Sequence, residues 1–325
     1  MRPFSFSFRG SEINTMPAGN AYIRHGKTEQ VTKALSRWFC APLAALILAT
    51  SPSLAHARYV VLGYVDLSFY EVTASVVQFV LERYGYNVAV KKGTHGQIYP
   101  ELGAGEVDLF VAAWLPHTHA KYWDEHKSSL VRITRLYDDA KLFWAVPDYV
   151  PATDVRAVAD LSRPEIAAKM DKSIRGPGAD SGLMIGSAKI VEQYQLEAAG
   201  YRLAPGKPAD WIAWFNANVE ARKWFVTPLW QPQYLNQVAK LRILEEPKQL
   251  LGKADSAYLV AHKDIREKLD KQTLAALRRM ELSVRWVTEL DYMVNVKKMA
   301  PAEAARLWIG AHPDTVSYWL EPEEN

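Results

Sequence analysis

Cysteine is all but missing from this chain: among 325 residues there is one, Cys40. A lone thiol excludes an intrachain disulfide. Because Cys40 lies in an N-terminal stretch that reads as a leader, the rest of the chain also has no thiol nucleophile and no thiolate metal site. It follows Arg37-Trp38-Phe39 and does not look like a lipoprotein acylation site. Long apolar runs are absent too. The most apolar stretch, residues 38–50, has roughly thirteen residues, where a spanning helix needs about 20. It follows a basic region carrying Arg24, Lys27, Lys33 and Arg37 and precedes Ala55-His56-Ala57. A basic region, a short apolar core and a small-x-small site together predict a secretory leader over residues 1–57, shortened if Met16 is the start. Beyond it there is no excess charge of either sign. Six of the 39 basic and two of the 36 acidic residues fall in the leader, which leaves 33 against 34. A near-neutral chain has no electrostatic footprint for nucleic acid. There is no internal repeat and no low-complexity tract, and nothing calls for a cofactor.

What the chain does have is aromatic residues in repeated positions. The stretch Val226–Tyr234 reads V-T-P-L-W-Q-P-Q-Y and sets Trp230 and Tyr234 on either side of Pro232, after an apolar run at residues 224–226. Proline continues neither a helix nor a central strand, so these aromatics are expected on a turn where a strand ends, which is where open α/β sheets hold ligands. Two more exits match it: Ser68-Phe69-Tyr70-Glu71 after residues 59–65, and Trp114-Leu115-Pro116 after residues 107–113. With 11 Trp and 16 Tyr in the chain, any single one is ordinary core. The repetition of position predicts an aromatic-walled pocket.

From Arg58 on, β-rich runs alternate with helical patterns. Strands are expected at 59–65, 88–90 and 107–113. A helix over 71–84, closed by Gly85, and a shorter one ending near 103–105 lie between them, a βαβαβ unit with parallel strands. Another strand, 141–146, ends at Pro147. The pattern restarts at 172–175, runs through the Gly176–Gly182 turn into a helix to Gly200, and continues with a strand near Tyr201, a helix from Ala209 and the strand before Trp230. A last strand at 256–260 precedes helices over 264–280, 284–294 and 301–309. The fold class expected is two-lobed α/β, each lobe a small mostly parallel sheet flanked by helices. Residues 58–145 plus 258–325 would form one lobe and 146–257 the other, hinged by the two crossing strands, with a ligand cleft between them.

These residues carry a resemblance. Gly105-Glu106-Val107-Asp108 running into Trp114-Leu115-Pro116, the Gly176–Gly182 turn, Trp230 to Tyr234 leading to Leu244-Glu245-Glu246-Pro247, and residues 304–320 with His312-Pro313-Asp314 and Trp319-Leu320 occur in a telling order. The chain resembles the glycine betaine/choline substrate-binding proteins of ABC importers across residues 59–320. The resemblance implies a type II periplasmic binding protein, monomeric and not an enzyme. It implies a place in the periplasm, and an inner-membrane permease as partner. It also implies an aromatic box for a quaternary ammonium, held by cation–π attraction worth about 2 kcal/mol or more per desolvated ring. Trp114 and Trp230 sit where box tryptophans sit, Phe69 holds a position often Trp, and Tyr70 is a further wall beside it. Glu71 holds a position often Asp. The Ala179-Asp180-Ser181 turn, at a helix start, would orient a ligand oxygen through backbone N–H groups. Departures from the pattern bear on the ligand. Gln233 stands where many betaine binders have His, Tyr234 stands for Trp, and Leu142 falls near a box Tyr of choline binders. Glu71 favours a cation without a carboxylate, so betaine-like, choline-like and other small cationic or amphoteric solutes stay open.

Two other classes can be set against this. Gly178-Ala179-Asp180-Ser181-Gly182 superficially resembles a serine-protease nucleophile turn, but no His and Asp are marked as its partners. A metal reading has His117, His119, Asp124 and His126 within ten residues. On a helix His117 and His119 would point about 160° apart, which speaks against a shared ion. His95, in Gly93-Thr94-His95-Gly96, reads as a turn residue.

Overall fold

The computed structural model describes residues 58–322; the expected leader, its cleavage motif and Cys40 lie outside them. The first elements are β1 (Tyr59–Val65), α1 (Ser68–Arg83), β2 (Asn87–Gly93), α2 (His95–Gly103) and β3 (Leu109–Leu115). β1 pairs in parallel with β2 on one side and β3 on the other, as the βαβαβ pattern requires. All seven residues of β3 are buried, which fits its continuous apolar sequence and central place in the sheet. α1 begins three residues earlier than its apolar periodicity indicates, so Phe69 belongs to its first turn rather than to a strand exit.

After α3 (Ala120–His126) comes β4 (Leu130–Pro147), 18 residues long. Only its second half was expected, because Arg132, Arg135, Asp138 and Asp139 give the first half a surface composition. This strand serves two neighbourhoods. Residues 130–140 pair antiparallel with β9, and residues 141–147 pair with β7 and β8. The middle of the chain supplies α4 (Pro164–Ala167), β5 (Ser173–Gly176), α5 (Gly182–Gln193), β6 (Arg202–Pro205), α6 (Pro208–Glu220), β7 (Thr227–Gln231), α7 (Leu235–Val238) and β8 (Leu241–Ile243). β5 and β6 form a separate parallel pair. β7 lies three residues later than the expected 224–226, so Trp230 stands within the strand, opposite Leu142, and not on the turn beyond it.

β9 (Asp255–His262) returns between β3 and β4, giving the order β2-β1-β3-β9-β4-β7. The chain ends in α8 (Ile265–Lys268), α9 (Lys271–Arg279), α10 (Val284–Asn295), α11 (Pro301–Ala311) and α12 (Pro313–Leu320). The expected single helix over 264–280 is broken at Asp270, whose carboxylate accepts the Thr273 N–H at 2.7 Å and caps α9. α10 and α11 pack on α1, and through it they fix the position of Phe69.

Candidate functional site

Three rings from distant parts of the chain meet where β3 and β7 end. Phe69 lies between Trp114 and Trp230, with ring centroids 5.8 and 5.7 Å away and interplanar angles of 50° and 45°. Tyr70 stands 4.1 Å from Phe69, and Trp211 of α6 backs Trp230 edge-on at 5.7 Å. Together with Leu142, Ser181 and Gly182, Phe69, Tyr70, Trp114 and Trp230 line an inner cavity of about 30 Å³. Trp114 is fixed by its indole N–H, which donates to Tyr137 Oη at 3.1 Å. The indole N–H groups of Trp230 and Trp211 have no partner among the described residues.

Two residues that the sequence reading did not single out for this purpose hold the Trp114 turn. Asp255, at the start of β9, accepts the N–H groups of His117 and Thr118 at 2.7 and 2.9 Å. His119 is fully buried and its Nδ1 accepts the Trp114 N–H at 3.1 Å, with the Tyr99 hydroxyl 2.9 Å away. An accepting Nδ1 places the proton on Nε2, which faces the Tyr70 hydroxyl at 3.3 Å. Burial, and then the neighbouring His95, hold His119 well below the ordinary histidine pKa, so it stays neutral. His117 and His119 lie on the turn before α3, not on a helix, and Asp124 pairs with Lys127. Among the described residues no group of three or more His, Cys, Asp or Glu is placed to hold a metal ion.

The α5 turn closes on these residues from the other side. Ser181 is the N-cap of α5, its hydroxyl accepting the Met184 N–H at 3.2 Å. Gly182 abuts the Thr118 carbonyl so closely that a Cβ would lie 2.3 Å from the oxygen, which admits only glycine there. Asp180 caps nothing on its own helix. Its carboxylate accepts the Gly96 N–H of α2 at 2.9 Å, and its carbonyl accepts the Tyr122 hydroxyl at 2.7 Å. Burial works to raise the Asp180 pKa, but the bonds from Gly96 and Thr94 and the nearby His95 hold it below the ordinary value. Asp180, Ser181 and His95 line an outer cavity of about 540 Å³, which shares Leu67, His95, Pro177 and Ser181 with the inner one.

The other expected site residues face elsewhere. Glu71 bonds the Tyr64 hydroxyl and lines neither cavity. Gln233 is buried and lines neither cavity, its Oε1 without a partner among the described residues. Tyr234 caps α7 and turns its N–H to Asp291 at 2.8 Å. Asp291 of α10 ties the Phe69 and Trp230 turns together. It is fully buried and also accepts the Ser68 hydroxyl at 2.5 Å and Asn295 Nδ2 at 2.8 Å. Ser68 precedes Phe69, and Tyr234 follows Trp230 by four residues, so one carboxylate anchors both. Its sequence signal is an acid on the apolar stripe of α10 that runs through Val284, Val287, Thr288 and Val294. Asp291→Asn keeps the volume but turns one acceptor into a donor that faces other donors. It is expected to cost about 1–3 kcal/mol of stability in urea unfolding, the cost of leaving such groups unpaired.

Comparison with known proteins agrees with this architecture. The family described as the substrate-binding domain of ABC-type glycine betaine transport systems matches residues 58–311. A glycine betaine/carnitine transport binding protein of Listeria monocytogenes is 23% identical over 164 residues; the match spans 50% of this chain and 54% of that protein, about half the length of each. Among solved structures, the glycine betaine/L-proline-binding protein of Borrelia burgdorferi superposes with a TM-score of 0.74 at 21% identity, covering 81% of this chain and 97% of its own. Lactococcal OpuAC, closed on glycine betaine, gives 0.72 at 22%, covering 81% and 99%. A choline-binding protein in complex with choline gives 0.73 at 17%, covering 81% and 92%. The fold is that of the two-lobed type II periplasmic binding proteins, whose members here are solute-binding components and not enzymes. With its match over 58–311, the chain belongs to the family of substrate-binding domains of ABC-type glycine betaine transport systems.

Proposed function

We propose that this protein is the solute-binding component of an ABC importer, and that it captures a quaternary ammonium compound of glycine betaine or choline type between Phe69, Trp114 and Trp230. The observation that carries the reading is the convergence of those three rings from α1, β3 and β7 on one cavity. A bulky, weakly hydrated cation that cannot donate a strong hydrogen bond is attracted to ring faces, and they select it over ordinary amines. The inner cavity has room for about one water molecule, so a trimethylammonium group enters only when the rings separate. That separation fits lobes 58–145 plus 258–325 and 146–257 moving about β4 and β9, the two strands that join them, with the closed form recognised by a membrane permease. The protein works as a monomer outside the cytoplasm, in the periplasm. Among the described residues no helix is long and apolar enough to cross a membrane.

A thermal-shift screen with glycine betaine, choline, carnitine, a basic amino acid and Zn²⁺ tests this. A ligand that binds only the folded state adds about 2.7 kcal/mol at a hundredfold excess over its Kd, a rise of several degrees. A quaternary amine is expected to give it. A response to Zn²⁺ alone, or to the basic amino acid alone, would overturn the reading.

A further inference from the structure

Outside the crossing strands, the segments assigned above to the two lobes touch directly along one seam. The turn before α3 and α3 itself, on one side, face the start of α5 and residues 249–252 on the other. Glycine at two points allows the contact. Gly182 abuts the Thr118 carbonyl, and a Cβ on Gly252 would lie 2.8 Å from the Cβ of His117.

Asp180 carries the hydrogen bonds of this seam. It stands just before α5 but bonds no group of that helix, where Ser181 is the N-cap. Its carboxylate accepts the Gly96 N–H at 2.9 Å and a bond from the Thr94 side chain, both at the start of α2. The first N–H groups of a helix have no partner inside it, and an anion there also meets the positive end of the helix dipole. α2 is therefore capped from the opposite lobe. The Asp180 carbonyl adds a bond from the Tyr122 hydroxyl at 2.7 Å. Asp291 reaches across in the reverse direction, to the Tyr234 N–H, but it also holds Ser68 and Asn295 of its own lobe. Apart from its own N–H, the Asp180 carboxylate has partners only on the far side.

We infer that Asp180 is a latch: its bonds to Gly96 and Thr94 hold the lobes together and break whenever a ligand enters or leaves. The inference rests on the two-lobe reading above and adds the residue that sets the rate of exchange. The inner cavity has room for about one water molecule, so a solute passes only through parted lobes. A bond made in the closed form and lost in the open one slows passage both ways. It changes affinity little, because it favours the closed form with and without a ligand. A side chain that touches the ligand acts differently, lowering affinity through dissociation and leaving association almost unchanged.

Spin labels at Glu125→Cys on α3 and Glu192→Cys on α5, both exposed, measure the distance between the lobes in the full chain carrying Cys40→Ser. In the ligand-free protein, Asp180→Ala is expected to raise the ratio of long to short distances about tenfold, the low end for a hydrogen bond to a charged group. Asp180→Asn, which keeps an acceptor for Gly96, is expected to raise it less. Tyr122→Phe removes the other bond of the seam, lines neither cavity, and is expected to shift the distances the same way. Stopped-flow mixing with glycine betaine, followed by tryptophan fluorescence, is expected to show association and dissociation both faster in Asp180→Ala, by up to about tenfold, with Kd within about threefold of wild type. A wild type that shows only long distances, or an Asp180→Ala distribution equal to wild type, would overturn the inference. So would faster dissociation with association unchanged, which marks a ligand contact. Failure of glycine betaine and choline to bind the wild type would overturn the box reading alone, since the distances in the ligand-free protein still decide on the latch.

Discussion

Trp230→Leu is expected to lower affinity for a quaternary ammonium ligand roughly 30-fold, whereas Trp308→Leu leaves it unchanged. Leucine keeps much of the apolar volume and removes the π face, so the loss in the first variant is the cation–π contribution of one desolvated ring, about 2 kcal/mol. The second variant is the control because the two tryptophans are matched in most other respects. Both are buried, at 5% and 2% exposure, and both have an indole N–H without a partner among the described residues. Trp308 packs on His312 and Trp319, with centroids 4.2 and 5.9 Å away, among the C-terminal helices and away from both cavities. Each substitution costs packing energy on the order of 2 kcal/mol, so the fall in thermal midpoint is similar. If both variants lost affinity in parallel, the effect would be one of general loosening and Trp230 would not be a wall of the site. Trp230→Phe, which keeps a smaller ring, is expected to fall between wild type and leucine. Trp114 is less suited to the same comparison, because its N–H also holds Tyr137 and its removal disturbs β4.

The part of this site legible in the sequence was the part set by strand order. Trp114 and Trp230 stand near the ends of β3 and β7, each packed on Phe69, and a small error in strand limits did not move them off the inner cavity. Helix phase was harder to read. Ser68 to Glu71 reads as a turn from which Phe69 and Glu71 both reach a ligand. In α1 they are two residues apart and so about 200° apart around the axis, and only one can face the cavity. Gln233 and Tyr234 stand off both cavities for a related reason. The chain turns into α7 directly after Pro232, and the Tyr234 N–H is claimed by Asp291, 57 residues further on. Such long-range bonds leave no local pattern. His95, between Thr94 and Gly96, has ordinary turn composition; its burial comes from long-range packing, with Tyr70, His119 and Tyr122 around its ring.

Acid is expected to destabilise the fold between pH 6.5 and about 4, well above the range in which most carboxylates titrate. The cause lies in two neutral histidines. In the unfolded chain each binds a proton near pH 6.5, while in the fold burial keeps His95 neutral down to about 4 and holds His119 well below the ordinary histidine value. Below 6.5 the unfolded state therefore holds more protons, and stability falls as pH falls. At about 1.4 kcal/mol per proton per pH unit, His95 removes about 3 kcal/mol by pH 4, and His119 acts in the same direction. Asp291 works in the opposite sense. Burial lifts it to about 6 against its bonds from Ser68, Tyr234 and Asn295, so it takes up a proton in the fold before it does in the unfolded chain. That gain is similar in size to the His95 loss, and the loss from His119 remains. Urea unfolding at pH 7, 6, 5 and 4.5 measures the slope. His95→Phe is expected to flatten the acid slope by about 3 kcal/mol between pH 6.5 and 4, and an unchanged slope in that variant would show that His95 is already protonated or exposed in the fold. The same titration bears on binding, since an imidazolium at the mouth of the box would repel the cation that the rings attract. On the proposed reading, the burial that costs acid stability also keeps positive charge away from the ammonium ligand.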